Sequence, residues 1–333
     1  MKRVAITALA LLPLATMVAN GFEKAVDKQK GATGIEGETY EWTLPEAMQP
    51  SGYIDESKMP EGSRYSEMVI LGNKIINETT RYIGPQAEDE AMRYAGSNLS
   101  CGSCHAYGGT RQYQSAYVGV YSRFPQFRGR GDSISTLEDR INGCMQRSLN
   151  GKPLPNNSVE MKAMVTYMQW LSQGIPVGAK VEGQGLVDIP YLDRAADPEH
   201  GEEVYMENCV ACHQQDGSGI VNPVADTFGG AYYIYPPLWG DDSYNDGAGM
   251  YRLMKAAAYI YHNMPQDKPG TLSIEEAYDV ASYINSKPRP KKAGMENDFP
   301  DRRIKPVDSP FAPFGDEFSE EEHRLGPFEQ MIK

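Results

Sequence analysis

Cys101-Gly102-Ser103-Cys104-His105 and Cys209-Val210-Ala211-Cys212-His213 are the two strings on which the reading of this chain turns. In each, two thiols stand one helical turn apart and a histidine follows at once. Two thioethers can then reach the two vinyl groups of one porphyrin while the imidazole ligates its iron. A Cys-x-x-Cys pair also serves redox or zinc sites, but two copies that both end in His favour haem attachment. Two covalent haem c groups are therefore expected, one held by Cys101, Cys104 and His105 and the other by Cys209, Cys212 and His213. Only one of the five cysteines is left over, and disulfides are not expected.

The surroundings of the two strings repeat as well. Downstream of the first stand Pro125, Phe127 and Gly129, and downstream of the second Pro236, Leu238 and Gly240, so the chain reads as a duplicated unit. Both halves resemble monohaem cytochromes c, in which the proline carbonyl of this string accepts a hydrogen bond from the proximal His. That resemblance implies the role for Pro125 and Pro236. Helices are expected on either side of each motif. Asp197-Pro198 can cap and start one that carries Gly201, Val204 and Tyr205, and Ser273 with Glu276 forms a capping box ahead of Ala277, Val280, Ala281 and Ile284. These two helices should cross. In the first half, residues 159–172 supply the equivalent helix, with Met161, Met164, Met168 and Leu171 read as core rather than ligands.

The fold class that follows is all-α: two class I-like cytochrome c modules joined by a linker. Residues 64–173 form the first module, 174–196 the linker and 197–290 the second. Residues 22–63 form an N-terminal extension and 291–333 a charged, Pro-containing tail, both outside the repeats. Residues 1–21 read as a secretory signal, with Lys2 and Arg3 ahead of a short apolar run. The expected location is the periplasm, with membrane attachment only if that segment stays uncleaved. The 333 residues and 40% hydrophobic content suffice for two cores, and a formal charge of −13 argues against nucleic-acid binding.

Each iron needs a sixth ligand. Met264 is the candidate in the second module, since it precedes Pro265 and a capped helix. His262 is its rival, and no role falls to His200 or His323. The first module has no comparable loop methionine, but it holds Cys144. Ser135 and Glu138 would cap the helix that carries Cys144, and Asn150, Gly151 and Pro153 would stop it, placing Arg140 and Ser148 on the same face. A buried, inert cysteine is the plainer reading. A free thiol in an oxidising compartment beside a haem that lacks a ligand favours thiolate ligation instead. Residues 101–152 also hold seven basic side chains against three acidic ones in an otherwise acidic chain. That suits a small-anion site, with one or two of the arginines serving haem propionates.

From Asn98 to Pro155, with CGSCH, VGVYSRFPQFRGR and INGCMQRSLNGKPLP, and on to Met264, the sequence resembles the thiosulfate dehydrogenase family of dihaem cytochromes, some of which act as tetrathionate reductases. The resemblance implies His105/Cys144 ligation at a catalytic first haem and His213/Met264 ligation at a second, electron-exchanging haem. It also implies a pocket lined by Arg130, Arg140 and Ser148. Some members carry Lys just before the distal Met, whereas this chain has Asn263. The implied reaction interconverts thiosulfate and tetrathionate, with a small periplasmic electron-transfer protein such as a cytochrome c as partner. Two other classes fit the motifs: a dihaem carrier without catalysis, and a Sox-type cytochrome acting on a carrier protein's thiol.

Overall fold

The computed structural model describes residues 39–224 and 230–332. The expected signal segment, residues 1–21, lies outside the described residues. Six helices of eleven residues or more stand among the described residues. They are α1 (Arg64–Asn77), α2 (Leu137–Arg147), α3 (Val159–Trp170), α4 (Pro198–Asn208), α5 (Leu253–Asn263) and α6 (Ile274–Ser286). Among the described residues, strands are confined to three two-stranded ladders. The structure is thus two mostly helical cytochrome c modules in series.

Each module is built on one helix crossing, and both crossings use a glycine. In the first, α1 packs on α3 at Gly72, where an added Cβ would stand 2.1 Å from the Ala163 carbonyl oxygen. In the second, α4 packs on α6 at Gly201, where the distance to the Asp279 carbonyl oxygen would be 2.0 Å. Backbones that close leave no room for a side chain, so glycine is required at both points. The methionines read as core behave as core: Met161, Met164 and Met168 are buried with Val69, Ile76 and Tyr167. The second core gathers Val204, Tyr205, Ala277, Val280, Ala281 and Ile284.

Helix starts follow the capping chemistry closely. Asp197 accepts from the amides of Glu199 and His200 with Pro198 in the first turn, and Ser273 and Glu276 form a reciprocal box. The helix bearing Cys144 begins one residue later than expected. Its cap is Thr136 with Asp139, not Ser135 with Glu138. The reason is a hairpin: Ser135 is the last residue of a strand (Ser133–Ser135) paired antiparallel with Gln126–Arg128, and its backbone stays extended. Similarly, α3 ends at Trp170, two residues before 172, with Leu171 as its cap.

The segments outside the repeats are structural. Lys180–Val181 pairs in parallel with Thr39–Tyr40, and buried Val181 joins the first core. Ile189, Leu192 and Ala196 join the second core, as do Phe328 and Met331 from the C-terminal segment. His323, without an assigned role in the sequence, is buried there, with Nδ1 at the Val307 carbonyl and Nε2 at Asp316. No helix among the described residues is long and apolar enough to cross a membrane.

Candidate functional site

In the first module, the CxxCH motif occupies a single turn, Cys101–Ser103, followed by a tight loop. Tyr107, Gly108, Gly109, Tyr113 and Ser115 all adopt left-handed backbone conformations, which coil the chain back onto the motif. As a result the Ser115 carbonyl, not that of Pro125, bonds His105 Nδ1. This corrects the role expected of Pro125. The Tyr117 ring stacks on the imidazole at 4.5 Å between centroids. With Nδ1 engaged by a carbonyl, Nε2 is the ring nitrogen left for a metal. Burial lowers the His105 pKa to about 4, so the ring is neutral at pH 7, as a ligand must be.

His105 faces a cavity of about 260 Å³. Ile76, Leu137, Met164 and Met168 form apolar walls, while Arg123, Arg128 and Arg140 supply charge. Cys144, from α2, lines the same cavity. Arg140, one turn earlier on that helix, donates from NH1 to Cys144 Sγ at 2.6 Å. The neighbouring Cys144 sulfur holds the Arg140 pKa above its ordinary value against the opposing effect of burial. Burial, with Arg140 close by, lowers Arg128 to about 10, and Cys144 pulls the other way. The Arg140 guanidinium thus gives the Cys144 sulfur a charged hydrogen-bond donor in an otherwise apolar setting. Apolar walls, a neutral imidazole with a free Nε2 and a cation-stabilised sulfur are a donor set that fits a porphyrin iron.

The other two pocket candidates stand apart from this cavity's lining. Ser148 caps α2, its backbone N–H bonded to the Cys144 carbonyl, one turn beyond the sulfur. Arg130 follows the Gln126–Arg128 strand and reaches into the seam between the modules. There NH1 donates to Asp298 at 2.6 Å and, more weakly, to the Gly247 carbonyl at 3.5 Å. Burial and the neighbouring Arg147 lower Arg130 to about 10, and Asp298 acts against them. Asp298 belongs to the C-terminal segment, and nothing in the sequence pattern singled it out.

The second module repeats the arrangement with the proline in place. His213 Nδ1 donates to the Pro236 carbonyl at 2.8 Å. Met264 caps α5 and packs against the second core, half-buried. His262, on the last turn of α5, has a buried Nε2 without a partner among the described residues. Asn263, at the position where some related sequences have Lys, is buried and donates to the Tyr113 and Tyr259 carbonyls. Its amide therefore ties α5 to the loop behind His105. Tyr259, one turn earlier, donates to the Cys104 carbonyl at 3.3 Å and accepts from Gln114.

Comparison with known proteins agrees with this architecture. Residues 90–177 match the family model for the SoxA/TsdA cytochrome c domain, and residues 198–288 match cytochrome c. A thiosulfate dehydrogenase of Psychrobacter arcticus is 39% identical over 248 residues, covering 74% of this chain and 70% of the relative. One of Allochromatium vinosum is 41% identical over 236 residues, covering 70% and 82% respectively. Among solved structures, thiosulfate dehydrogenase TsdBA from Marichromatium purpuratum superposes with a TM-score of 0.65 at 30% identity. That match covers 76% of this chain and 50% of the other, so the chain spans half the length of the solved protein. Two cytochrome c domains in series carry two covalently bound haem c groups.

Proposed function

Because the chain belongs to the thiosulfate dehydrogenase family of c-type cytochromes, we propose that it interconverts thiosulfate and tetrathionate in the periplasm, with the first module as the catalytic one. The half-reaction is 2 S2O3²⁻ ⇌ S4O6²⁻ + 2 e⁻. The observation that carries this reading is the Arg140–Cys144 contact inside the cavity that His105 lines. A carrier that only relays electrons has no use for an arginine-bonded cysteine at that place.

His105 and Cys144 would hold the first haem iron, and His213 and Met264 the second, with Cys101, Cys104, Cys209 and Cys212 as thioether anchors. Bound haem supplies the one-electron relay that takes up or delivers the two electrons. The remaining work falls to the chain. Two dianions must be held together, and Arg130 and Arg140 offset their repulsion while Ser148 offers a hydroxyl donor. Cys144 gives a route for the reverse direction. Its thiolate attacks a sulfane sulfur of tetrathionate, the central S–S bond breaks, one thiosulfate leaves with the electron pair, and Cys–S–S–SO3⁻ remains. A small electron-transfer protein, such as a periplasmic cytochrome c, would exchange electrons at the second module.

The test is turnover of thiosulfate and of tetrathionate by the purified holoprotein with artificial electron carriers. Turnover of both free anions is expected. Reduction and reoxidation of both haems without sulfur turnover would make the protein an electron carrier, and activity only on a protein-borne thiol would make it Sox-like.

A further inference from the structure

Arg130 and Arg147 lie side by side in the seam, each side chain no more than a quarter exposed. Two neighbouring guanidinium groups in such a place need an anion between them. The C-terminal segment supplies it. Asp298 Oδ2 lies 2.6 Å from Arg130 NH1, and Oδ1 lies 2.8 Å from Arg147 NH2. The carboxylate is itself fixed. Arg302 donates to the Asp298 carbonyl, the Phe299 amide donates to the Arg130 carbonyl at 2.8 Å, and the Phe299 ring lies 5.2 Å from the Arg130 guanidinium. The Gly247 carbonyl of the second module accepts from both arginines.

This arrangement restricts what Arg130 can offer. Its NH1 is engaged by Asp298 and Gly247, whereas Nε and NH2 have no partner among the described residues. Those two nitrogens form the fork of a guanidinium that suits two oxygens of a sulfonate-type group. We propose that Asp298 is a positioning residue for the anionic substrate, holding one side of Arg130 so that its Nε–NH2 fork is kept in one orientation for an incoming anion. The inference rests on Arg130 being a substrate-binding arginine, as in the proposed function. It assigns the C-terminal segment a part in catalysis that the two haem modules alone do not supply.

Charge and geometry act in opposite directions here, which makes the proposal testable. Asp298→Asn keeps the shape but removes the negative charge beside two cations, so anion attraction rises while the fork is released. The expected result for the dihaem protein is a kcat lower by roughly 10- to 100-fold, with KM for thiosulfate unchanged or lower. A readout without turnover is the tetrathionate Kd of the oxidised holoprotein, taken from the optical spectrum of the first haem, which should not weaken. Asp298→Glu, retaining the charge, should recover part of the kcat. Native kcat in Asp298→Asn overturns the proposal. So does a kcat loss accompanied by a rise in KM and no recovery with Glu. If Asp298→Asn fails to assemble with two haems, Asp298→Glu carries the test: reduced kcat at unchanged KM supports the proposal, and fully native kinetics overturns it. Arg130→Lys, measured in parallel, separates the premises. Native turnover there removes Arg130 from the site, whereas a large loss beside an unaffected Asp298→Asn removes only the positioning role.

Discussion

Cys144 differs from the other four cysteines in having a cation for a partner. The 2.6 Å contact from Arg140 would be wasted on an inert thiol, and it gives a direct expectation. Cys144→Ala should retain both haems, since attachment uses the other four thiols, and should abolish turnover. Haem content and sulfur assays on one preparation check both halves of that statement. Replacing Arg140 by Lys keeps the charge but loses the fork, so turnover should fall strongly at low and high ionic strength alike, because screening weakens long-range attraction and not a contact inside a cavity. Near-native rates at both salt levels would return Arg140 to a haem-propionate role. At the second module, Met264→Gly should lower that haem's reduction potential in a redox titration, as loss of a thioether ligand does. An unchanged potential would point to His262. Much of this was readable beforehand, since Arg140, Cys144 and Ser148 recur every four residues and must share a helix face. The Ser115 carbonyl behind His105 was not. It depends on five left-handed residues within the loop 107–115, three of them Tyr or Ser, which no composition rule marks.

The elements were legible where local chemistry decides them and displaced where a tertiary pairing competes. Asp197-Pro198 and Ser273-Glu276 start their helices as their capping chemistry dictates, while strand pairing at Ser135 moves the start of α2 to Thr136. The glycine crossings belong to the same scale. Gly201→Ala would thrust a methyl group into the Asp279 carbonyl, and overpacking of that kind costs about 1–3 kcal/mol. A lowered melting temperature of the holoprotein is expected, and Gly72→Ala should have the same effect. The α4–α6 crossing also carries a pH signature. Burial raises the pKa of Asp279, but Arg194, the Asp197 amide and His200 together bring it below its ordinary value. Its stabilising contribution is therefore present above the ordinary carboxylate range and lost as pH falls through the lowered pKa. His200, half-buried and hydrogen-bonded to Asp279, is raised above its ordinary 6.5. Its contribution is complete below 6.5 and fades as pH rises through the higher value. Melting of the parent should thus show a shallow decline as pH rises above 6.5, and His200→Asn should flatten it.

At the scale of the molecule, the seam between the modules is polar and specific. Asp242 of the second module accepts from the Asn98 amide and side chain, and Tyr233 donates to it at 2.5 Å. Asn245 bonds the Arg147, Gln146 and Asn150 oxygens, and Tyr259 and Asn263 reach the loop behind His105. No periodicity in either half announces the contacts that cross between the modules, because each of those needs partners about a hundred residues or more apart. Their consequence is mechanical as well as electronic. Two modules joined by a linker alone would melt independently, each at a temperature set by its own core. Here the opening of one module breaks hydrogen bonds that the other supplies, so the holoprotein should unfold in a single calorimetric transition. Asp242→Ala removes the acceptor of the Asn98 and Tyr233 bonds without touching either core or any haem anchor. The transition should then broaden or split, with the first module losing its haem-linked absorbance at a lower temperature than the second. A single, unshifted transition in Asp242→Ala would mean that the modules are coupled elsewhere, and cutting the Tyr259–Gln114 contact with Tyr259→Phe would be the next place to look.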